Sequence, residues 1–295
     1  MNFLNGNTSR LSWSPMKIAV LSGKGGTGKT LVATNLSFSI NNSLYLDCDV
    51  EEPNGHLFFE SPLISSVDVS LPIPRVIDEK CDGCMKCVDF CKFNALAYVG
   101  NKVLVFDKIC HSCGGCKLVC PQDAIYQEER VIGKIESRKY GGVDVHTGIL
   151  NPGEESGTKI ISRLMEIANS KGEEITIIDS PPGSSCVVMD SIKDADYCII
   201  VAESSIFGAH NLEMVHELVL LFEKPMGVVL NKTTNGINPS KLYCENNNIP
   251  ILLDIPFSKK INAISSSGVL ISEEDEKYKI MFTNLLKKIT GGEIS

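Results

Sequence analysis

The apolar positions of the chain fall in short runs separated by stretches of helix length. Lys17–Ser22 (KIAVLS) is an apolar run halted by glycine, the pattern of a strand buried on both faces. Lys29–Ile40 follows as a predicted helix, with Leu31, Val32, Leu36 and Ile40 available for the sheet-facing side, and Ser43–Asp47 (SLYLD) reads as a second strand. Val67, Val69, Leu71 and Ile73 occupy alternate positions and predict a strand leading out of this core. Arg130–Leu150, interrupted by Gly141–Gly142, predicts strands and turns leading back. From Gly157 the rhythm resumes. Helices are predicted over Thr158–Ser170 and Asn211–Glu223, the second with Leu212, Val215, Val219 and Phe222 on one face. Strands are predicted over Glu174–Asp179, Tyr197–Ala202, Gly227–Leu230 and Ile251–Leu253. Asn238–Pro239 supplies a cap and first-turn pair for another helix. Strands alternating with helices predict an α/β fold with a mostly parallel sheet covered on both faces.

Composition narrows the function classes. The 295 residues accommodate one large α/β domain with a small insert, or two ordinary domains. A net charge of -8 argues against a general nucleic-acid binder, which needs clustered Lys and Arg, so no nucleic-acid partner is expected. No apolar run approaches the length of a membrane span. Residues 1–15 are polar and lack the basic start and apolar stretch of a signal peptide, so they read as a loose tail with Met16 a candidate start. Eight of the 12 cysteines fall in two tight clusters, which favours metal-bound thiolates in a reducing cytoplasm over disulfides.

The clusters are Cys81-x2-Cys84-x2-Cys87-x3-Cys91 and Cys110-x2-Cys113-x2-Cys116-x3-Cys120-Pro121. Val76–Tyr98 and Val105–Gln127 superimpose with a shift of 29 residues, matching all four cysteines, Asp78 with Asp107 and Ala95 with Ala124. Such a repeat predicts a pseudo-two-fold module with two equivalent sites. The spacing is that of a bacterial ferredoxin, in which the fourth cysteine of each run ligates the other [4Fe–4S] cluster. The implied assignment is Cys81, Cys84, Cys87 and Cys120 on one cluster and Cys110, Cys113, Cys116 and Cys91 on the other. Structural zinc, usually four ligands in two pairs, fits two repeated runs of four poorly. Lys92 stands after Cys91 where the second run has Pro121, a departure at that turn. Cys48, Cys198, Cys244 and Cys186 are expected to be packed thiols, with a redox or relay role the alternative for Cys186. His56, His111, His146, His210 and His216 show no ligand spacing and are expected to be solvated or packed.

Gly23–Thr30 fits G-x-x-x-x-G-K-[ST] between a predicted strand and a predicted helix. Glycines Gly23, Gly25, Gly26 and Gly28 let backbone N–H groups around Thr27 turn toward phosphate oxygens at a helix N-terminus. Lys29 would reach the terminal phosphates of ATP, and the Thr30 hydroxyl would ligate Mg²⁺. With Lys24, the KGGTGKT pattern resembles the deviant Walker A loop of the MinD/ParA/nitrogenase-iron-protein superfamily. That resemblance implies an ATP-sandwich homodimer in which Lys24 acts on the partner's nucleotide. "LDCDVEEPN" (Leu46–Asn54) resembles the first switch, with Asp49 orienting the attacking water and Asp47 near the metal. "IDSPPG" (Ile178–Gly183) resembles the Walker B strand and second switch, with Asp179 holding the Mg²⁺ shell and the Gly183 N–H sensing the γ-phosphate. "VVLNK" (Val228–Lys232) resembles the base-reading position, with Asn231 on adenine, and "LDIPFS" (Leu253–Ser258) resembles the base-flanking loop.

The resemblance spans nearly the whole chain from Met16. It is nearest to members of the superfamily that carry an inserted ferredoxin domain. It implies a doubly wound P-loop sheet in two parts, 16–66 and 151–295. The insert is 67–150, with its core at 75–128. The C-terminal stretch Tyr278–Ile289 has the general character of a membrane-seeking helix known in MinD, yet Phe282, Leu285, Leu286 and Ile289 at helical spacing favour packing against the sheet. Three outputs compete. The first is ATP-gated electron transfer to an acceptor protein. The second is delivery of iron–sulfur clusters, for which related carriers use a C-x-x-C pair where this chain has only Cys244. The third is a non-redox positioning switch with the clusters as sensors, for which a basic face or committed membrane helix is lacking. Gated electron transfer fits the duplicated cysteine runs best.

Overall fold

The computed structural model describes residues 15–40, 42–172 and 175–291. The predicted tail lies outside them apart from Pro15, as does Glu174 of a predicted strand. The first strand, β1 (Met16–Leu21), runs into helix α1 (Lys29–Phe38) and strand β2 (Ser43–Asp47). A long strand β3 (Ser65–Val76) leads away to a small lobe made of α2 (Lys86–Phe90), β4 (Leu96–Val99), β5 (Lys102–Val105) and α3 (Gly115–Leu118). Strand β6 (Ile125–Tyr140) returns, and β7 (Val143–Leu150) follows. The second half is α4 (Thr158–Lys171), β8 (Ile175–Asp179), α5 (Cys186–Ile192), β9 (Tyr197–Glu203), α6 (Ile206–Leu221), β10 (Met226–Thr233), α7 (Pro239–Asn246), β11 (Ile251–Pro256), α8 (Lys259–Ser266), α9 (Ile271–Glu274) and α10 (Glu276–Thr290).

Nine strands form one sheet in the order β11-β10-β9-β1-β8-β2-β7-β6-β3. All neighbours from β11 through β7 are parallel, while β7, β6 and β3 are antiparallel to one another. The strands read from the pattern as leading out and back are therefore continuous with the main sheet: β7 pairs with β2, and β6 and β3 form its far edge. Only the segment between Val76 and Ile125 stands apart.

The buried strands alternate their side chains between two cores. On β1, Ala19 and Leu21 join the α4, α5 and α6 side with Ile160, Val188 and Leu212, whereas Ile18 and Val20 join the α1 and α10 side with Leu36 and Phe282. α10 buries Phe282, Leu285 and Leu286, the face expected to pack. Asn238 caps α7, accepting from the Lys241 N–H, with Pro239 at the first position. α6 begins at Ile206, five residues before its predicted start, because Ser205 accepts from the Gly208 N–H and caps an extra turn whose side chains, Ile206 and Phe207, are exposed. No helix among the described residues is long and apolar enough to cross a membrane.

The lobe obeys the 29-residue repeat in its backbone. Positive φ recurs at Gly83 and Ser112, at Met85 and Gly114, and at Asn94 and Asp123. Its pairings obey it too: Val76 pairs with Ile125 and, 29 residues along in one strand and back in the other, Val105 pairs with Leu96.

Candidate nucleotide site and thiol-lined cavities

The C-terminal ends of β1, β2, β8 and β9 bring the predicted nucleotide residues together, where ligands bind in open parallel sheets. A cavity of about 640 Å³ is lined there by Lys24, Lys29, Thr30, Asp49, Pro181 and neighbouring loop residues. The loop's geometry depends on glycine. Gly28 has φ +96, and a Cβ there would lie 2.1 Å from Asn231 Nδ2. A Cβ on Gly23 would lie 2.4 Å from the Asn211 carbonyl oxygen. Gly28 caps α1 without a side-chain bond, so the first-turn N–H groups face the cavity as an anion site. Lys24, Gly25 and Gly26 line its rim, and Thr27 is buried beneath.

Register explains how the acids meet. Asp47 and Asp179 are paired across β2 and β8, and both are buried. Lys29 Nζ donates to Asp179 Oδ1 at 2.6 Å and stands 3.8 Å from Asp49 Oδ2. Burial alone would lower the Lys29 pKa, but the charge of Asp179, its hydrogen bond and the charges of Asp49 and Asp47 leave it raised. Burial, with Asp179 opposite, pushes Asp47 well above the carboxylate range, although Asp47 accepts the Gly55 N–H at 2.9 Å. Burial lifts Asp49 to about 6 against the pull of Lys29.

Three site residues escaped the sequence reading. Tyr45 donates its hydroxyl to Asp179 Oδ2 at 2.8 Å inside the core. Glu203, the last residue of β9, holds Lys24 Nζ at 2.9 Å and Lys232 Nζ at 3.0 Å. Lys232 also donates to the Gly26 carbonyl at 2.6 Å. A strand-end acid beside a Walker-type loop was the available signal for Glu203; nothing in the pattern marked Tyr45.

Several predicted residues are placed differently from their expected roles. Lys24 lies on its own chain's Glu203, not extended from the surface. The Gly183 N–H donates to the Ser22 carbonyl at 2.8 Å, so it is engaged within the chain. Asn231 donates to the Thr27 carbonyl at 2.7 Å and accepts from the Lys232 N–H, so it braces the loop. It does so at the edge of a second cavity of about 360 Å³ that also includes Pro256 and Phe257 of the predicted base-flanking loop. Cys186 is exposed, contrary to the packed thiol expected, because the buried face of α5 is carried by Val188, Ser191 and Ile192. Cys48, Cys198 and Cys244 are buried as expected. His146 and His216 are packed, hydrogen-bonded to Ser137 and Tyr243.

The eight clustered cysteines line two cavities. One of about 20 Å³ is lined by Cys81, Cys84, Cys87 and Cys120, and one of about 720 Å³ by Cys91, Cys110, Cys113 and Cys116. Each set takes its fourth cysteine from the other run. Backbone N–H groups are aimed at sulfur: Ala95 donates to Cys91 Sγ at 3.4 Å, Ala124 to Cys120 Sγ at 3.3 Å and Ser112 to Cys110 Sγ at 3.4 Å. Burial raises the pKa of Cys87, with Cys120 and Cys81 adding to it, and burial raises Cys116, with Cys110 and Cys113 adding to it. Among the described residues no three His, Cys, Asp or Glu side chains converge as they would on a single ion. Four thiols, with N–H groups donated to Cys120 in one set and to Cys91 and Cys110 in the other, are the donor chemistry of a thiolate-held cluster.

A family model for the CobQ/CobB/MinD/ParA nucleotide binding domain matches residues 18–271. The chain is 31% identical over 250 residues to the uncharacterized protein MJ0579 of Methanocaldococcus jannaschii, covering 83% of this chain and 87% of that one. Over 60 residues, 20% of this chain, it is 37% identical to a ferredoxin of Alicyclobacillus acidocaldarius, covering 77% of it. The fold resembles that of the septum site-determining protein MinD of Pyrococcus horikoshii, solved with Mg-ADP, at a TM-score of 0.57 and 16% identity, covering 93% of this chain and 96% of that one. With its phosphate loop on β1 and its acids on β2 and β8, the chain belongs to the CobQ/CobB/MinD/ParA nucleotide-binding family.

Proposed function

We propose that the protein is an ATP-hydrolysing homodimer that gates electron transfer through two [4Fe–4S] clusters to an acceptor protein. The observation that carries this reading is the pair of cavities, each lined by the four cysteines that a ferredoxin-type crossing assigns to one cluster, on a lobe grown from the same sheet as the phosphate loop. Cys81, Cys84, Cys87 and Cys120 would hold one cluster, and Cys91, Cys110, Cys113 and Cys116 the other. When bound, clusters of this kind supply one-electron storage and transfer.

On the nucleotide side, the loop N–H groups and Lys29 hold the phosphates of ATP, and Thr30 ligates the Mg²⁺ that accompanies it. Asp49 orients the attacking water, and Asp179 fixes the metal's water shell while Tyr45 and Lys29 hold its carboxylate in place. The pocket beside Asn231 and Phe257 takes the base. Glu203 parks Lys24 in the isolated chain; dimer closure releases it to the partner's phosphates, where its charge offsets that developing on the transferred phosphoryl group. Nucleotide energy reaches the lobe because the two switches have different affinities for the ATP and ADP states.

Anaerobic iron and sulfide analysis with EPR, in the presence and absence of Mg-ATP, tests the proposal. About eight irons per chain and a change of cluster signal on ATP addition are expected. One or two metals without sulfide would overturn the cluster assignment. Lys24→Ala should lower ATP turnover by about 10³-fold or more while leaving iron content unchanged; retained turnover would remove Lys24 from the reaction.

A further inference from the structure

The two thiol-lined cavities are equivalent by the repeat, yet they are dressed differently. At a shift of 29 residues, Asp82 corresponds to His111 and Phe93 to Gln122. Each pair meets across the lobe. At the first cavity Gln122 Nε2 donates to Asp82 Oδ2 at 3.0 Å. At the second the His111 ring stacks on Phe93, centroids 3.8 Å apart and planes 15° from parallel. One position of the fold thus carries a carboxylate at one site and an aromatic stack at the other.

The difference extends to hydrogen bonding and charge. Asp82 Oδ1 accepts the Cys84 N–H at 3.1 Å, which holds the carboxylate against the backbone of the first cysteine run. His111 makes no such bond to Cys113 among the described residues, and there the Ser112 N–H donates to Cys110 Sγ. Asp82 is the charged side chain lining the first cavity, whereas Lys86, Lys92 and Asp89 line the second, with a net positive charge. The thiols themselves are alike in exposure: in each set one is exposed, one buried and two half-buried.

We propose that these differences build a potential step into the lobe: Asp82 makes the Cys81/Cys84/Cys87/Cys120 site the more strongly reducing, and Lys86 and Lys92 make the Cys91/Cys110/Cys113/Cys116 site the less reducing. The inference rests on the two-cluster reading above. Reduction adds one negative charge to a site. A nearby carboxylate opposes that charge, while ammonium groups and N–H donors to sulfur favour it. The differences in charge and in N–H donors to sulfur act in the same direction. An electron delivered to the first site by a low-potential one-electron donor passes to the second, so the first is oxidised and the second reduced. No bond forms or breaks, and no proton moves. The second site, with its two lysines, is the exit toward a one-electron acceptor of higher potential.

EPR-monitored redox titration of the anaerobically purified full chain, with iron content measured first, tests this. Two resolved one-electron steps are expected. Asp82→Asn should move the lower step upward and leave the upper one in place. The double variant Lys86→Gln/Lys92→Gln should move the upper step downward and leave the lower one. Asp82, Lys86 and Lys92 are all exposed, so both variants are expected to fold. Full iron with one merged step, or an Asp82→Asn variant that shifts the upper step, would overturn the potential step alone. A chain lacking iron would overturn the cluster reading on which it rests.

Discussion

The role proposed for Asp49, whose carboxyl burial lifts to about 6, predicts an acid limit to turnover. Only the ionised carboxylate accepts a bond from the attacking water, so kcat at saturating Mg-ATP should fall as pH drops through about 6. A flat profile between pH 5 and 8 would exclude that role. The same shift bears on folding. The folded pKa lies above the unfolded value, so the native state binds the proton more tightly, and stability is lost as pH rises through the interval from 3.8 to about 6. Asp49→Asn should therefore raise Tm while lowering turnover, and a drop in both would contradict the assignment. Tyr45 works the other way. Its hydroxyl is a buried donor to Asp179, and Tyr45→Phe should cost about 1–3 kcal/mol by denaturant titration. An unchanged midpoint would show the bond to be energetically idle.

At the scale of elements, β3 and β6 form a hairpin whose last pair is Val76 with Ile125. That register makes the lobe separable. Replacing residues 77–124 by Asn-Gly, a two-residue turn that matches strand twist, should leave a folded protein that binds Mg-ATP and carries no iron. Loss of nucleotide binding in that variant would mean that the sheet depends on the lobe. The hairpin also marks the boundary of what the sequence discloses. The apolar runs of β1, β2, β8 and β9 were legible because strands buried on both faces contain little else. The phosphate loop was legible because a backbone cradle fixes residue type at fixed spacing, and the cysteine runs because their repeat predicts the two four-thiol sets that line the lobe's cavities. The pairing of β7 with β2 was not, because a strand's pattern gives its buried faces and not its neighbour. Lys24 and Gly183 each find a partner within the chain, Glu203 and the Ser22 carbonyl, that local spacing does not reveal.

For the whole molecule, the proposed homodimer requires Lys24, held on Glu203 within one chain, to be released toward a second copy. Sedimentation should show a monomer without nucleotide and a dimer with Mg-ATP, and a dimer already present without nucleotide would remove ATP from the assembly step. The lobe has its own attachment to the sheet. Arg75 grips Asp107 with two bonds of 2.6 and 2.8 Å, and Arg130 pairs with Glu154 at 2.6 Å. Glu154 lies in the loop after β7, and the Leu150 N–H at the end of β7 donates to the carbonyl of Val50, the residue after Asp49, at 2.8 Å. Where the hairpin leaves the sheet the register slips, pairing Val69 with Gly133 but Ser70 with Val131, so that Ile132 is an extra residue. Beyond that bulge β3 and β6 continue without β7 for roughly 20 Å. A shaft of that length with a bend at its base is a lever. A tilt of about 10° at Ile132, over the strand rise that sets its length, becomes roughly 4 Å at the cysteines. Tunnelling falls off exponentially with distance, so under the proposed function a tilt of that size, without any change of fold, would suffice to switch electron flow on or off.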